Sequence, residues 1–127
     1  MTERLSRATL PTGHLIGASA PQRTGIVHFG LGNFHRAHAA VNTALALAAE
    51  PGDWGILGIA NRSRKVIDAM AAQDGLYSVV TLDPAQSDVG VVDVHRGFLV
   101  AAEDGPAVLE AIADPAHKIL TLTISEA

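Results

Sequence analysis

GIVHFGLGNFHRAHAAVNTALALA, residues Gly25 to Ala48, is the stretch whose reading decides the fold. Ile26 to Phe29 is an apolar run, Gly30-Leu31-Gly32 is a turn, and from Asn33 onward small and apolar residues recur at helical spacing. The pattern predicts a strand, a tight turn and a helix from Asn33 to about Ala49, stopped by Glu50-Pro51-Gly52. Two glycines at such a junction let the chain turn sharply and keep side chains away from an incoming group. The backbone of Gly30, Leu31, Gly32, Asn33 and Phe34 can then face an anion such as a pyrophosphate. A glycine turn serving sterics alone is the competing explanation. His28 interrupts the apolar strand and is expected to be a hydrogen-bonded core histidine rather than a catalytic one.

Within the helix, Ala37, Ala40, Val41, Ala44, Leu45 and Ala48 mark one small apolar face that can lie close on a sheet. His35 occupies the place of the third glycine of the generic dinucleotide fingerprint. His35 and His38 are three apart, a spacing that puts them on one helical face, but without an HExxH context or a nearby carboxylate no metal is expected there. Arg36, one turn into the helix, opposes the helix dipole and is better placed if an anion sits in front of it; a plain surface arginine is the alternative.

Working outward, residues 1–24 carry scattered prolines and glycines and read as an irregular arm, pinned by Leu5, Leu10 and Leu15, ahead of a dinucleotide-binding unit over 25–127. Strand two runs from Trp54 to Ala60. Asn61-Arg62-Ser63-Arg64 opens the next helix, to about Gln73. In a dinucleotide fold this strand end faces the adenosine ribose, where an acid selects a free 2′-hydroxyl and an arginine accommodates a 2′-phosphate. Here stand Asn61 and Arg62, with no carboxylate before Asp68, so NADP is expected to be tolerated; a solvated basic helix start is the other reading. Leu76 to Leu82 reads as a strand, Asp83 to Asp88 as a loop, and Val89 to Val100 as β-rich and broken near Arg96-Gly97. The expectation is a hairpin whose second arm continues, from Gly97 to Ala101, as the third parallel strand. A short helix capped near Asp104 runs to Ala113, and Lys118 to Ile124 is the fourth strand. The fold class is therefore α/β: a Rossmann-type doubly wound parallel sheet, truncated after its fourth strand, with a β-hairpin insertion and strand order 3-2-1-4.

With 127 residues the chain has room for one domain of ordinary size. Apolar residues make up 48% and charged ones 17%, below the roughly 25% of an average soluble domain, which suggests a surface meant to be covered. A net charge of −4 leaves no broad basic field for nucleic acid. The absence of cysteine excludes disulfides, thiolate metal sites and a cysteine nucleophile. No signal-peptide pattern and no apolar run near 18 residues is found, so a cytoplasmic protein with no membrane partner is expected.

GLGNFHRAH taken whole resembles the N-terminal nucleotide-binding segment of the long-chain mannitol dehydrogenase family, which includes mannitol 2-dehydrogenases and fructuronate and tagaturonate reductases. Trp54-Gly55-Ile56, AAQDGLY (Ala71 to Tyr77) and ILTLTISE (Ile119 to Glu126) extend the resemblance in the same order. It implies an NAD- or NADP-binding domain of a polyol or hexuronate oxidoreductase that interconverts a secondary alcohol and a ketone without a metal. It also implies a helical substrate domain, absent here, that supplies a lysine general base with an assisting asparagine and histidine. No catalytic residue carries over, since Lys65 and Lys118 stand in unrelated contexts, and Glu126 matches a family glutamate without an assignable role. By itself this stretch is expected to bind a dinucleotide without turnover, and a small polyol or sugar acid only together with the missing domain. A stand-alone dinucleotide-binding or interaction module is the alternative.

Overall fold

The computed structural model describes residues 4–123, so the expectations for Ile124 and Glu126 lie outside the described residues. Strands β1 (Thr24–Phe29), β2 (Gly55–Ala60), β5 (His95–Val100) and β6 (Ile119–Leu122) form one parallel sheet in the order β5-β2-β1-β6. That is the expected 3-2-1-4 order. It arises because each parallel neighbour needs a crossover, and right-handed crossovers place successive strands outward from β1 before the chain reverses.

Strand alternation divides the core between two faces. On one, Ala40, Ala44 and Leu47 of helix α1 (Ala40–Ala49) and Met70 of α2 (Lys65–Ala71) pack with Ile56, and Ile26 and Phe98 join them. On the other, Val108 of α3 (Gly105–Ala113) packs with Val27 and Ile59, flanked by Phe29, Leu57 and Leu99. Burial of both faces is why β1 and β2 read as continuous apolar runs. Asp104 caps α3, its carboxylate accepting from the Ala107 amide at 3.1 Å, and Pro106 follows in the first turn.

The hairpin is present but is cut differently from the expectation. Strands β3 (Tyr77–Leu82) and β4 (Ser87–Val92) pair antiparallel as a separate two-stranded sheet. The break falls at Asp93-Val94, while Arg96 and Gly97 lie inside β5. The second hairpin arm therefore ends before the parallel strand begins. Asp93 fixes that corner: its buried carboxylate accepts from Arg7 at 2.7 and 2.8 Å, from Arg96 at 2.8 Å and from the Ser19 hydroxyl at 2.7 Å. Burial alone would push this carboxyl upward, but the bonds from Arg7, Arg96 and Ser19 outweigh it and hold it below the ordinary range.

Leu5, Leu10 and Leu15 of the arm are half-buried, and the arm also uses backbone pairing: Ile16 donates to the Val91 carbonyl at 2.8 Å and Val91 to that of His14 at 2.7 Å. At the far side of the sheet β6 is paired with β1 alone among the described strands, and Ile119, Leu120 and Leu122 are 44%, 51% and 58% exposed. An apolar row on an unpaired edge invites a further strand. No helix among the described residues is long and apolar enough to cross a membrane.

Candidate functional site

In an open parallel sheet the ligand crevice lies beyond the carboxyl ends of the strands, where the strand order reverses. Here that point is the turn Gly30-Leu31-Gly32, between β1 and the helix, beside the end of β6. The two glycines differ in purpose. Gly30 has φ +100°, and a Cβ there would lie 2.7 Å from the Thr123 carbonyl oxygen, so it is required by the fold. Gly32 has an ordinary φ, and a Cβ would meet nothing within 4 Å. Its open approach is free for a ligand.

Leu31 is buried, packed with Ile67 and Val100, and Gly58 of β2 makes room for it, because a Cβ at Gly58 would lie 2.6 Å from the Leu31 side chain. Leu31 thus presents its backbone, not its side chain, at the turn. Asn33 is exposed, and Phe34, 67% exposed, leans on His38 with ring centroids 4.7 Å apart. The Arg36 guanidinium folds back over the turn, donating to the Leu31 carbonyl at 3.1 Å, the Gly32 carbonyl at 3.4 Å and the Asn33 side-chain oxygen at 2.6 Å. Held by these three acceptors, it places a fixed positive charge at the mouth of the turn.

The helix starts at Asn33 and ends at Ala49 as expected, but its first turns are not a regular α-helix. Residues His35–Ala39 form a π turn, with the Ala40 amide donating to the His35 carbonyl, before the α-helix proper begins. A π turn inserted in an α-helix is frequently found at functional sites. The inward face also differs from the expected one: Ala40, Ala44 and Leu47 are buried, whereas Ala37, Leu45 and Ala48 are exposed. His35 and His38 also separate, the first buried and the second exposed, so they do not share a face as their spacing predicts. Among the described residues no group of three or more acidic or histidine side chains is arranged to hold a metal. The Tyr77 hydroxyl, from β3, donates to the Arg36 carbonyl at 2.6 Å and ties the hairpin to the π turn. Burial pushes the Tyr77 phenol well above its ordinary range, so it remains a donor.

Directly under the turn lies a layer of buried histidines that composition alone does not reveal. His28 donates from Nε2 to the Gly30 carbonyl at 2.8 Å and accepts at Nδ1 from the Thr121 hydroxyl. It is the hydrogen-bonded core histidine expected of its place in β1. Its ring stacks on His35 at 3.8 Å, and His35 Nε2 meets His95 Nε2 at 2.9 Å. One of that pair carries its proton at Nε2 and the other at Nδ1, since a nitrogen-to-nitrogen bond needs one donor and one acceptor. Both Nδ1 atoms are buried without a partner among the described residues. Burial, with nearby positive charge adding to it, pushes both rings down to about 3, and burial lowers His28 as well. The layer is therefore neutral. A buried imidazole at the usual third-glycine place needs width between helix and sheet, and the π turn starts at that residue.

At the neighbouring strand ends, Asn61 and Arg62 are exposed just beyond β2, and Arg62 makes no hydrogen bond or ion pair among the described residues. Helix α2 begins at Lys65, later than expected, with Ser63 accepting from the Lys65 amide at 3.2 Å. Arg64 is paired, to Glu103 at 2.8 Å and to Asp68 at 3.4 Å. An open cleft of about 550 Å³ between α1, β1 and β6, lined by Leu47, Trp54 and Ile119 among others, lies at the amino end of the strands and away from the turn. Its lining, mostly apolar but with Asn42, Thr43 and Glu50, includes no cationic side chain.

Residues 24–127 match the Mannitol dehydrogenase Rossmann domain family. The mannitol 2-dehydrogenase of Cereibacter sphaeroides is 45% identical over 105 residues, 80% of this chain and 22% of that protein. The polyol:NADP oxidoreductase of Gluconobacter oxydans is 42% identical over 109 residues, 82% of this chain and 22% of that protein. Among solved structures, the mannitol 2-dehydrogenase of Pseudomonas fluorescens in a ternary complex with NAD and D-mannitol superposes with a TM-score of 0.85 at 32% identity, covering 96% of this chain and 27% of that one. A substrate-free D-sorbitol dehydrogenase superposes with a TM-score of 0.84 at 34% identity, covering 98% of this chain and 27% of the other. The chain thus spans 22% of the length of the two relatives compared by sequence.

Proposed function

We infer, from the fact that the chain belongs to the mannitol dehydrogenase family through its Rossmann domain, that it holds the adenosine and pyrophosphate of NAD or NADP for a polyol or hexuronate oxidoreductase. The observation that carries this reading is the open face of Gly32 at the carboxyl end of β1, set between the helix amides and the Arg36 guanidinium. Amides of Gly32, Asn33 and Phe34 take the pyrophosphate, with Gly30 and Leu31 holding the turn. Asn61 and Arg62 face the adenosine ribose.

The nicotinamide supplies or accepts the hydride when it is bound. This chain's residues bind and orient the cofactor, and the buried histidine layer keeps the turn in place. The groups that take the hydroxyl proton, and those that hold a small polyol or sugar acid, we assign to a substrate domain outside this sequence. The 22% span of the relatives is consistent with that division, as is the boundary between an arm over 1–24 and the binding domain over 25–127. A cytoplasmic location goes with the use of a soluble nicotinamide cofactor.

Two relatives carry different cofactors in their names, NADP in one and NAD in the other. Arg62, exposed and without a carboxylate partner among the described residues, is the side chain through which this chain tolerates the 2′-phosphate. Calorimetric titration of the chain and of Arg62→Ala with both dinucleotides tests the reading. We expect NADP to weaken about tenfold in the variant, the scale of one lost charge-assisted contact, and NAD to change much less. Equal loss for both would remove Arg62 from the 2′ position.

A further inference from the structure

We propose that Glu103 sets the balance between NAD and NADP by holding Arg64 away from the 2′ position of the adenosine ribose. This rests on the cofactor reading above and adds a residue from a different part of the chain. Strands β2 and β5 are parallel neighbours, and their carboxyl ends are tied by the Ala101 amide donating to the Ala60 carbonyl at 2.8 Å and the Ala102 amide to that of Asn61 at 3.0 Å. The segment from Asn61 to Arg64 and the turn carrying Glu103 are thereby fixed side by side, at the ribose end of the crevice.

Two arginines stand in this corner in unlike states. Arg62 is exposed without a hydrogen-bond partner among the described residues. Arg64 is shared between Glu103 at 2.8 Å and Asp68 at 3.4 Å. The side chains of Arg64 and Glu103 are 50% and 49% exposed, so the pair is reached by solvent and is easily exchanged for a stronger partner. A 2′-phosphate is such a partner, since a guanidinium binds a dianion through two parallel hydrogen bonds. To engage Arg64, however, it must displace Glu103 and approach that carboxylate, an unfavourable meeting of like charges. A ribose bearing a free 2′-hydroxyl meets neither obstacle. Glu103 therefore biases a corner rich in arginine back toward NAD, supplying from the turn after β5 the acid that the end of β2 lacks.

The test is titration of the wild-type chain, Glu103→Gln and the double variant Glu103→Gln/Arg64→Ala with NAD and NADP. Glu103→Gln keeps the size and polarity of an exposed side chain while removing its charge. The inference expects the NADP-to-NAD affinity ratio to rise about tenfold in Glu103→Gln, one charge interaction in affinity terms, and to fall back in the double variant. An unchanged ratio in Glu103→Gln overturns it, as does a gain that persists without Arg64. If the wild-type chain binds neither dinucleotide, the cofactor reading itself fails. If it binds both and the ratio does not respond, only the role of Glu103 is lost.

Discussion

Replacing Gly32 by valine is expected to abolish dinucleotide binding, by about a hundredfold or more, while the sheet remains folded. A Cβ at Gly32 meets nothing within 4 Å and the φ there is ordinary, so the protein has space for the new side chain. The ligand does not: a branched side chain occupies the volume through which the helix amides reach a pyrophosphate. Gly30 provides the contrast. Its φ of +100° and the Thr123 oxygen 2.7 Å from an added Cβ mean that Gly30→Ala strains the backbone and lowers stability, so its effect on binding is not specific. Calorimetry on a Gly32→Val chain with an unchanged circular dichroism spectrum decides the matter, and undiminished binding would show that the turn serves sterics alone.

The second large effect is acid lability between about pH 6.5 and pH 3. His35 and His95 stay neutral in the folded protein down to about 3, whereas in the unfolded chain an imidazole protonates near 6.5. In that interval the unfolded state binds more protons, so stability is complete above the upper value and is lost as pH falls below it. Each ring contributes about 1.4 kcal/mol per pH unit, and two together about 3 kcal/mol, a large part of the stability of a small domain. His28, lowered in the same direction, adds to the slope. Asp93, held low by Arg7, Arg96 and Ser19, adds a further loss only below the ordinary carboxylate range. Urea midpoints measured from about pH 7.5 to about pH 5.5 should fall steeply. A flat profile would mean that the stacked rings already carry charge in the folded state. Because His28 and His35 lie directly beneath Gly30, cofactor affinity should fall along with stability.

Much of the fold was legible in the sequence because its signals are local. Ile26 to Phe29 and Gly55 to Ala60 are apolar on both faces, Glu50-Pro51-Gly52 ends a helix, and Asp104 caps one, each through chemistry confined to a few neighbouring residues. The misplaced break in Val89 to Val100 has a long-range cause. Gly97 is the residue that looks like a breaker, yet the chain leaves the hairpin at Asp93, whose carboxylate is claimed by Arg7 and Ser19 from the distant arm. The alternation of Asp93 and His95 in an otherwise apolar run was the available signal, since polar residues at that spacing share a strand face.

The helix face was misread for a similar reason. Counting in steps of 3.6 residues fixes the period of a helix but not its phase: Ala40, Ala44 and Leu47 face inward and Leu45 outward, and the π turn at His35–Ala39 takes Ala37 out of the count. The pairing of His35 with His95, 60 residues apart, has no local signature. Glycines, by contrast, announced the turn but not their division of labour. That the fold requires glycine at Gly30 and not at Gly32 has no local signature, because it depends on Thr123 of the distant β6 end beside the first and on open space beside the second.

We propose that the turn after β1 and the ends of β2 and β5 form one dinucleotide site. Amide NMR of the chain during titration with NAD is the decisive measurement, because it reports every backbone N–H at once. The largest shifts are expected on Leu31 to Phe34, the proposed pyrophosphate site, with a second group at Asn61 to Ser63 and Ala102 to Glu103, the proposed ribose site. Shifts confined to Ile26, Leu47 and Trp54 in the cleft at the opposite end of the strands, with the glycine turn unmoved, would rule out a dinucleotide site at the turn.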